Sequence, residues 1–244
     1  MRIGELRATG HWPTLLSAFV YFDVSFMIWV LIGALGVFIA QDFHLSATLK
    51  GFVVALPILA GSLLRLPMGI AVDRFGPKRV GALGLVLTVL PLLVGWIGAR
   101  SLLGLVTVGL LLGIAGASFA VALPLASRWY PARLQGLVMG IAGAGNSGTV
   151  AAAFLAPRLA ERLGWHAVFG LALFPLAAAL AVYALLAKDS PTQPPARSLR
   201  EYLAVLRVRD TWWFNLFYMV TFGDRKSTRL NSSHIQKSRM PSSA

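Results

Sequence analysis

The sequence predicts an all-α polytopic membrane protein, and three observations lead to that prediction. Of the 244 residues, 57% are hydrophobic and only 13% are charged, which is about half the charged fraction of a soluble domain. Apolar runs of about 18 residues or more, long enough to cross a bilayer as helices, recur along the chain. Basic residues gather in alternate connectors between these runs, as expected when loops alternate between the two sides of a membrane.

Six apolar runs are expected to form membrane-spanning helices, so residues 1–187 are predicted to be an N-terminal six-helix transmembrane bundle. The predicted spans cover about residues 14–40, 46–72, 80–98, 102–126, 137–159 and 166–187. The first run has no cleavage-site pattern after it, and the second follows at once. We therefore expect the first run to remain in the protein as a helix.

The chain changes character after the sixth run. Residues 188–210 begin proline-rich and continue basic, which predicts a cytoplasmic linker with an amphipathic surface helix near 198–208. Residues 211–223 have the composition of the start of a seventh span. Residues 224–244 are rich in serine and basic residues and have no periodicity. This string resembles the translation of a common sequencing adapter, so we expect an artefactual disordered tail joined to a coding sequence cut within the seventh span.

Composition also excludes several kinds of site. The chain has no cysteine, and its four histidines never fall at metal-ligand spacing on one helix, so we expect no metal and no cofactor. The basic residues lie mostly in the N-terminus, in the loop between the second and third runs (loop 2/3), in the loop between the fourth and fifth runs (loop 4/5) and in the connector after the sixth run. This distribution predicts a cell (inner) membrane protein whose N-terminus is cytoplasmic. The same distribution explains the net charge of +13, so we expect no nucleic-acid partner. We find no nucleophile–base pair that would suggest an enzyme.

One arginine, Arg65, interrupts the second apolar run. It precedes Asp73 by eight residues, so at about 1.5 Å per residue it lies about 12 Å from the boundary and near the bilayer midplane. A permanent charge there costs about 3 kcal/mol or more. A planar, forked guanidinium suits a small planar oxyanion better than lysine would. The alternative is an internal salt bridge with Asp23, the only acidic residue within the six predicted spans.

The fifth run contains the glycine-rich stretch GIAGAGNSG at residues 140–148. Gly140, Ala144, Gly148 and Ala152 follow one another at four-residue spacing, which predicts a close-packing helix face. Asn146 is a polar amide within this apolar run, with donors and an acceptor to satisfy. It either bonds a neighbouring helix or contributes to a binding site.

Loop 2/3 reads GIAVDRFGPKR at residues 69–79. It resembles the loop 2/3 signature of the major facilitator superfamily, with Pro77 in place of the usual arginine. The stretch WYPARLQG at 129–136 resembles the superfamily's loop 4/5 pattern. The alternative is an ordinary cytoplasmic turn.

Three positions of loop 2/3 have an expected physical role. We expect Gly69 to permit close helix approach, Asp73 to accept hydrogen bonds from a neighbouring helix end, and Gly76 to turn the chain. The structural motif is expected to comprise Gly69, Asp73, Arg74, Gly76, Lys78 and Arg79.

Within that superfamily the chain is similar to the nitrate/nitrite porter family, over about residues 11–223. The pattern G-x-x-G-x-G-N-x-G at 140–148 looks like the family's nitrate signature, and LRLP at 64–67 matches the context of its substrate-binding arginine. Three further stretches resemble family patterns: SFMIW at 25–29, GASF at 116–119 and YMVTFG at 218–223.

The resemblance implies transport of nitrate or nitrite across the lipid bilayer, by alternating access around a midplane anion site. Arg65 would supply charge, the Asn146 and Tyr218 side chains hydrogen bonds, and three phenylalanines the walls. The residues implied to bind the anion are Phe26, Arg65, Phe119, Gly143, Gly145, Asn146, Tyr218 and Phe222. If the spans form two inverted three-helix repeats, span 2 corresponds to span 5 and span 1 to span 4.

The departures from the family matter as well. The family uses a second arginine in an eighth helix, which this chain lacks, so we expect the missing C-terminal half of the same transporter to be a partner and this chain alone to be inactive. Asp23 is a candidate for proton coupling, against a purely local polar role or a pairing with Arg65. The alternatives are a facilitator for another small anion or drug, and a nitrate-binding transceptor. The choices between nitrate and nitrite, and between symport and antiport, stay open.

Overall fold

The computed structural model describes residues 3–191, 193, 199–217 and 219–220, and the chain divides into two compact units, 1–195 and 196–244. The described part of the first unit contains six helical spans long and apolar enough to cross a membrane, and the described residues form no β-strand. This confirms the predicted fold class. Spans 1 to 6 are Trp12–Trp29, Ala47–Phe75, Pro77–Gly98, Leu102–Ser127, Ala132–Leu163 and Trp165–Leu186.

Span 1 continues beyond Trp29 as two short helices, Leu31–Ala34 and Gly36–Asp42. The single residues between the pieces, Val30 and Leu35, do not interrupt the hydrogen bonding. Their carbonyls accept from the amides four residues later, at 2.9 and 3.1 Å. The helical path therefore runs to Asp42, close to the end predicted from hydropathy. A short helix, Ile3–Thr9, precedes the span.

Span 2 is one unbroken helix although Pro57 and Pro67 lie inside it. Each proline lacks an amide hydrogen, so a carbonyl one turn earlier loses its usual donor. Ser46 caps the start by accepting from the amide of Leu49 at 3.3 Å. The span is therefore a continuous element that can hold Arg65 at mid-length.

Spans 3, 4 and 6 contain local irregularities within continuous helical paths. Span 3 is the α-helix Pro77–Leu93 followed by a π-helical turn, Val94–Gly98. Span 4 consists of Leu102–Gly116 and Phe119–Ser127, and span 6 of Trp165–Leu171 and Leu173–Leu186.

Span 5 changes helix type at the glycine-rich stretch. It begins as Ala132–Gly143, continues as a 3-10 turn, Ala144–Ser147, and resumes as Gly148–Leu163. A 3-10 turn has about 3.0 residues per turn instead of 3.6, so the buried face shifts register there. The buried residues of span 5 are Leu134, Val138, Ala142, Gly145, Gly148, Ala152, Ala156 and Ala160.

The predicted small-residue face is therefore wrong in its first half. Gly140 and Ala144 are exposed, whereas Gly148 and Ala152 are buried as predicted. Gly145 takes the place predicted for Ala144, because the tighter 3-10 turn brings it round to the neighbouring helix.

Two close helix crossings organise the bundle. Span 4 packs on span 2, where a methyl group on Gly113 would lie 2.5 Å from Cβ of Ala60 and 2.8 Å from the amide of Gly61. Span 5 packs on span 1, where a methyl group on Gly145 would lie 2.8 Å from the carbonyl of Phe19. The predicted inverted repeat would relate spans 4 and 2 to spans 1 and 5, so the two crossings would be equivalent under it.

The loop between spans 2 and 3 and the loop between spans 5 and 6 contain glycines with the same backbone conformation. Gly76 has φ, ψ of 85°, 147°, and Gly164 has 81°, 152°. This region is open to glycine but strained for other residues. The same turn at the ends of spans 2 and 5 supports their pairing in the inverted repeat.

The close helix approach expected at Gly69 is not found in the part of the chain that the structure describes. No heavy atom lies within 4 Å of the position that a Cβ on Gly69 would occupy. The helix face around it is open because the neighbouring spans pack on other sides of span 2.

The second unit is described here by itself. It contains the helix Leu199–Ala204, a 3-10 turn, Val205–Arg207, and helical residues at 209–217 and 219–220. Its exposed apolar side chains include Trp212, Phe214 and Phe217. Its assignment to a surface helix and the start of a seventh span stays a prediction.

Candidate functional site

Arg65 lies at the middle of span 2 with two aromatic rings against its guanidinium. The Cζ atom is 5.9 Å from the ring centre of Trp29 on span 1 and 5.5 Å from that of Phe119 on span 4. A cation over a ring face gains about 0.5–2 kcal/mol. The rings therefore attract the guanidinium but bring no negative charge to it.

The polar atoms of Arg65 lack a counter-ion within the described residues. Its Nε is buried without a hydrogen-bond partner there, and the ion pair that those residues form lies elsewhere. The alternative salt bridge with Asp23 does not form. An unpaired cation inside a membrane segment is costly, so this position is suited to receive an anion.

The rings beside Arg65 belong to one aromatic cluster. Ring centres are 4.1 Å apart for Phe22 and Phe26, 4.9 Å for Phe26 and Trp29, and 5.6 Å for Phe22 and Phe119. The structure thus brings together three predicted site residues, Phe26, Arg65 and Phe119. Sequence reasoning missed Phe22 and Trp29, although positions 22, 26 and 29 share one helix face by their four- and three-residue spacing.

The position of Trp29 depends on one hydrogen bond and on the space beside two glycines. Its indole Nε1 donates to the carbonyl of Pro57 at 2.7 Å. A methyl group on Gly61 would lie 3.2 Å from that nitrogen, and one on Gly116 would collide with the indole ring. Glycine at both positions therefore leaves the space that the ring fills beside Arg65.

The 3-10 turn of span 5 reaches the other side of this cluster. A methyl group on Gly145 would lie 3.1 Å from Cδ1 of Phe22, so this glycine packs directly on the aromatic cluster. The side chain of Asn146 is exposed and makes no hydrogen bond to a described residue; only its backbone carbonyl accepts, from Thr149. The alternative that its side chain bonds a neighbouring helix is therefore not observed. Nothing lies within 4 Å of a Cβ position on Gly143.

Two predicted site residues, Tyr218 and Phe222, lie outside the described residues. Asp23 lies on span 1, and its Oδ1 accepts from the hydroxyl of Ser147 at 2.7 Å. It is half-buried. Among the described residues, no group of three or more metal-ligating side chains could hold a metal ion.

The face of the bundle that carries loop 2/3 is a polar network. Asp73, at the end of span 2, accepts from Arg128 at the end of span 4, and this is the ion pair formed within the described residues. Arg128 also donates to Gln193 at 2.6 Å. The three positions join loop 2/3, loop 4/5 and the connector after span 6.

The first residues of that connector, 188–190, form what we call the tie. The carboxylate of Asp189 accepts from the amide of Lys78 at 2.8 Å, at the start of span 3. Ser190 donates to the carbonyl of Arg128 at 2.8 Å. The amide of Lys188 donates to Thr14 at 3.0 Å, at the start of span 1. The tie thus joins the ends of three spans.

At the opposite end of the bundle, an open depression lies between spans 1, 5 and 6. Trp165 donates to the carboxylate of Asp42 at 3.0 Å and stacks on His166 at 3.6 Å between ring centres. The depression is lined by Phe38, Gln41, Asp42, Ala160, Gly164, Trp165 and His166.

Comparison with known proteins gives a consistent set of relatives. Residues 17–224 match the Major Facilitator Superfamily. The chain is 36% identical over 200 residues to the nitrite extrusion protein of Bacillus subtilis, covering 82% of this chain and 50% of the relative. It is 34% identical over 206 residues to the probable nitrate/nitrite transporter NarK2 of Mycobacterium tuberculosis, covering 82% and 52%.

A third relative is the probable nitrate/nitrite antiporter NarK1 of Thermus thermophilus, 33% identical over 216 residues, covering 83% of this chain and 48% of the relative. The chain spans about half the length of the curated relatives it matches.

Proposed function

Since the chain belongs to the Major Facilitator Superfamily, we propose that it is the N-terminal half of a transporter for nitrate or nitrite. Transport proceeds by alternating access, and the anion binds at the centre of the bundle. The names of its relatives, a nitrite extrusion protein and nitrate/nitrite transporters, support this substrate class.

The observation that carries the proposal is the environment of Arg65. Its guanidinium is unpaired by any described residue and lies against Trp29 and Phe119. A small planar oxyanion would accept two parallel N–H bonds from such a fork. The rings beside the guanidinium lower the local dielectric, which strengthens the attraction between guanidinium and anion.

The remaining anion contacts in the proposal come from several elements. Phe26 and Phe119 form the wall on spans 1 and 4, and the amide of Asn146 donates from span 5. Gly143 and Gly145 let the backbone of that span approach.

The proposed topology puts the N-terminus and loop 2/3 in the cytoplasm of a cell (inner) membrane protein. Residues 1–187 form the transmembrane bundle, 188–210 a cytoplasmic linker with a surface helix and 211–223 the start of a seventh span. The tail at 224–244, expected to be artefactual, lies outside the described residues. The C-terminal half of the transporter supplies the opposing cation, and this chain alone is inactive. The proposed activity is transport, not catalysis.

A fusion protein tests the proposal. Residues 1–210 of this chain replace the matched half of the Bacillus subtilis relative, and the fusion is expressed in a bacterial strain without its own nitrate transporter. We expect saturable exchange of labelled nitrate or nitrite across the membrane. Arg65→Lys should reduce exchange at least about tenfold, because the two-pronged contact is lost.

Arg158→Lys is the matched control. Arg158 is also a span arginine over an aromatic ring, 5.5 Å from the centre of Phe154, but it is exposed near the end of span 5. Its variant should transport normally. Near-normal exchange by Arg65→Lys, at equal amounts in the membrane, would contradict the proposal.

A further inference from the structure

The indole of Trp29 fills a slot between spans 2 and 4 that two glycines leave open. A methyl group on Gly61, on span 2, would lie 3.2 Å from Cα of Gly116 on span 4 and 3.2 Å from the indole Nε1. One on Gly116 would collide with the indole ring. A larger residue at either position would therefore push the ring out of the slot.

The slot lies on the face of span 2 that carries Arg65. Pro57, Gly61 and Arg65 follow one another at four-residue spacing, so they share one helix face. Side chains in a helix lean toward its N-terminus, so the side chain of Arg65 leans toward the turn that contains Gly61. The ring centre of Trp29 is 5.9 Å from the guanidinium Cζ. The glycine at position 61 thus lets the indole and the guanidinium meet.

The indole is anchored at the far end of the same face. Its Nε1 donates to the carbonyl of Pro57 at 2.7 Å. A helix carbonyl has two lone pairs, so it can accept this bond in addition to the one from the amide four residues later. Phe26 packs against the ring edge to face, at 4.9 Å between ring centres. The ring therefore cannot turn away from Arg65 without losing a hydrogen bond.

The guanidinium of Arg65 lies against two rings, but only one of them is anchored by a polar group. Phe119 is 5.5 Å from Cζ, and its phenyl ring has no hydrogen-bond donor. Tryptophan is also the stronger partner of a cation. Orientation matters here because a planar fork binds two oxygens of one anion only when it faces them. A spherical ion such as chloride sets no such requirement.

We propose that Trp29 is the positioning residue of Arg65. It holds the guanidinium so that its fork faces the anion, and it thereby sets the preference of the site for a planar oxyanion over chloride. The inference rests on the proposed function of the Arg65 site. Arg65 supplies the charge, and Trp29 determines which shape of anion benefits from it.

The first test measures selectivity in the fusion protein described above. Trp29→Phe keeps an aromatic ring but removes the N–H that anchors it to Pro57. We expect the KM for nitrate or nitrite to rise about fivefold, the effect of one hydrogen bond. The maximal exchange rate should stay within about twofold, as for the loss of ground-state binding. Inhibition by chloride should also stay within about twofold, so the preference for the oxyanion falls.

Trp96→Phe is the matched control. Trp96 also packs against a glycine, since a methyl group on Gly170 would lie 2.8 Å from its Cδ2, but it belongs to the π-helical turn that ends span 3. Its variant should keep the parent KM and chloride inhibition. An unchanged oxyanion preference in Trp29→Phe, at equal amounts in the membrane, would overturn the inference. A fall in the maximal rate at constant KM would overturn it too, because it would indicate a purely structural role.

The second test concerns the slot itself. Gly61→Ala should raise the KM by displacing the indole. In Trp29→Phe the nitrogen that the methyl group meets is absent, so the double variant should raise the KM by less than the product of the two single effects. Gly51→Ala is the control on the same span, because nothing lies within 4 Å of its Cβ position, and it should leave the KM unchanged. A strict product of the single effects would contradict a shared slot.

A measurement without transport separates this inference from the proposed function. Unfolding of the purified chain in detergent is compared for Trp29→Phe, Arg65→Met and the double variant. We expect the two side chains to be coupled by at least about twofold in the unfolding equilibrium constant. If the unmodified fusion exchanges neither nitrate nor nitrite, the proposed function falls, and this coupling still decides whether Trp29 positions Arg65. Independent effects of the two substitutions would overturn the inference even in a fusion that transports.

Discussion

Gly76 and Gly164 make the same backbone turn in two very different surroundings. Both have φ near +80°, and a new span begins immediately after each of them. The carboxylate of Asp189 lies 2.9 Å from where a Cβ on Gly76 would be, whereas nothing lies within 4 Å of the equivalent position on Gly164. The first turn is enclosed by a polar network and the second is open.

The difference distinguishes the backbone conformation that the two turns have in common from the side-chain contacts that only one of them makes. The shared φ and ψ values suit a one-residue connection between consecutive spans, and the predicted inverted repeat would need the same connection in both halves. The tie over Gly76 belongs to one end only, because only that end has the connector after span 6. Substitutions that act on the backbone alone should therefore affect both turns, and substitutions that act on the tie should affect one.

The largest expected effect is that of Gly76→Ala. The side chain must adopt a φ, ψ region that is strained by about 1–3 kcal/mol, and its Cβ also displaces the Asp189 carboxylate from the start of span 3. We expect the free energy of unfolding to fall by about 3 kcal/mol. The loss of helical circular dichroism on heating the purified chain in detergent measures the change.

Gly164→Ala should have a smaller effect of about 1–2 kcal/mol, since only the backbone strain remains. The same thermal measurement compares the two variants directly. Equal losses of unfolding free energy in both alanine variants would show that the contact with Asp189 contributes nothing. Backbone strain alone would then explain both effects.

Asp189→Ala should cost about 1 kcal/mol, because the half-buried carboxylate loses one hydrogen bond to the Lys78 amide. Its combination with Gly76→Ala sharpens the comparison. The double variant should lose less stability than the sum of the single variants, since the displaced carboxylate is already absent. Strict additivity would contradict the proposed collision.

The smallest effect concerns pH at His11, which precedes span 1 beside the tie. Burial and the nearby Lys188 lower the pKa of His11 below its ordinary 6.5, and its Nδ1 accepts from the Thr14 amide at 3.2 Å. Because the folded-state pKa is lowered, the neutral ring stabilises the fold above the ordinary value, and this contribution is lost as the pH falls through the folded-state pKa.

We therefore expect the unfolding temperature to decrease on acidification below about pH 6.5. His11→Asn should weaken this dependence, since asparagine still accepts at the helix start but does not titrate. Asp189→Ala serves as the comparison, because it loosens the tie without removing the titrating ring. An identical pH dependence in the wild type and His11→Asn would rule out this origin.

The fold could be predicted from sequence because it depends on one-dimensional signals. Each span is an apolar run bounded by polar or glycine residues, and the lipid allows few other structures for such a run. The position of Arg65 near mid-span followed from counting residues along a helix. Phe26 and Phe119 were implied by the family resemblance, and both rings lie in the cluster beside Arg65.

The rest of the site could not be predicted, because it depends on contacts between residues that are far apart in the sequence. The 3-10 turn at Ala144–Ser147 moved the packed face from Ala144 to Gly145, because local helix type responds to the neighbouring span. The position of Trp29 depends on space left by Gly116, far along the chain. The partner of Asp189 is more than a hundred residues away, so the tie was not visible in the sequence.

The tie has a further consequence for how the protein is made. Its bonding partners, Thr14, Lys78 and Arg128, all precede it in the chain. They are therefore already in the bilayer when residues 188–190 leave the ribosome, and domains generally form in the order of synthesis. The six-span bundle can thus close its loop 2/3 face before any later helix leaves the ribosome, so the tie completes this unit of the protein as soon as its last residues emerge.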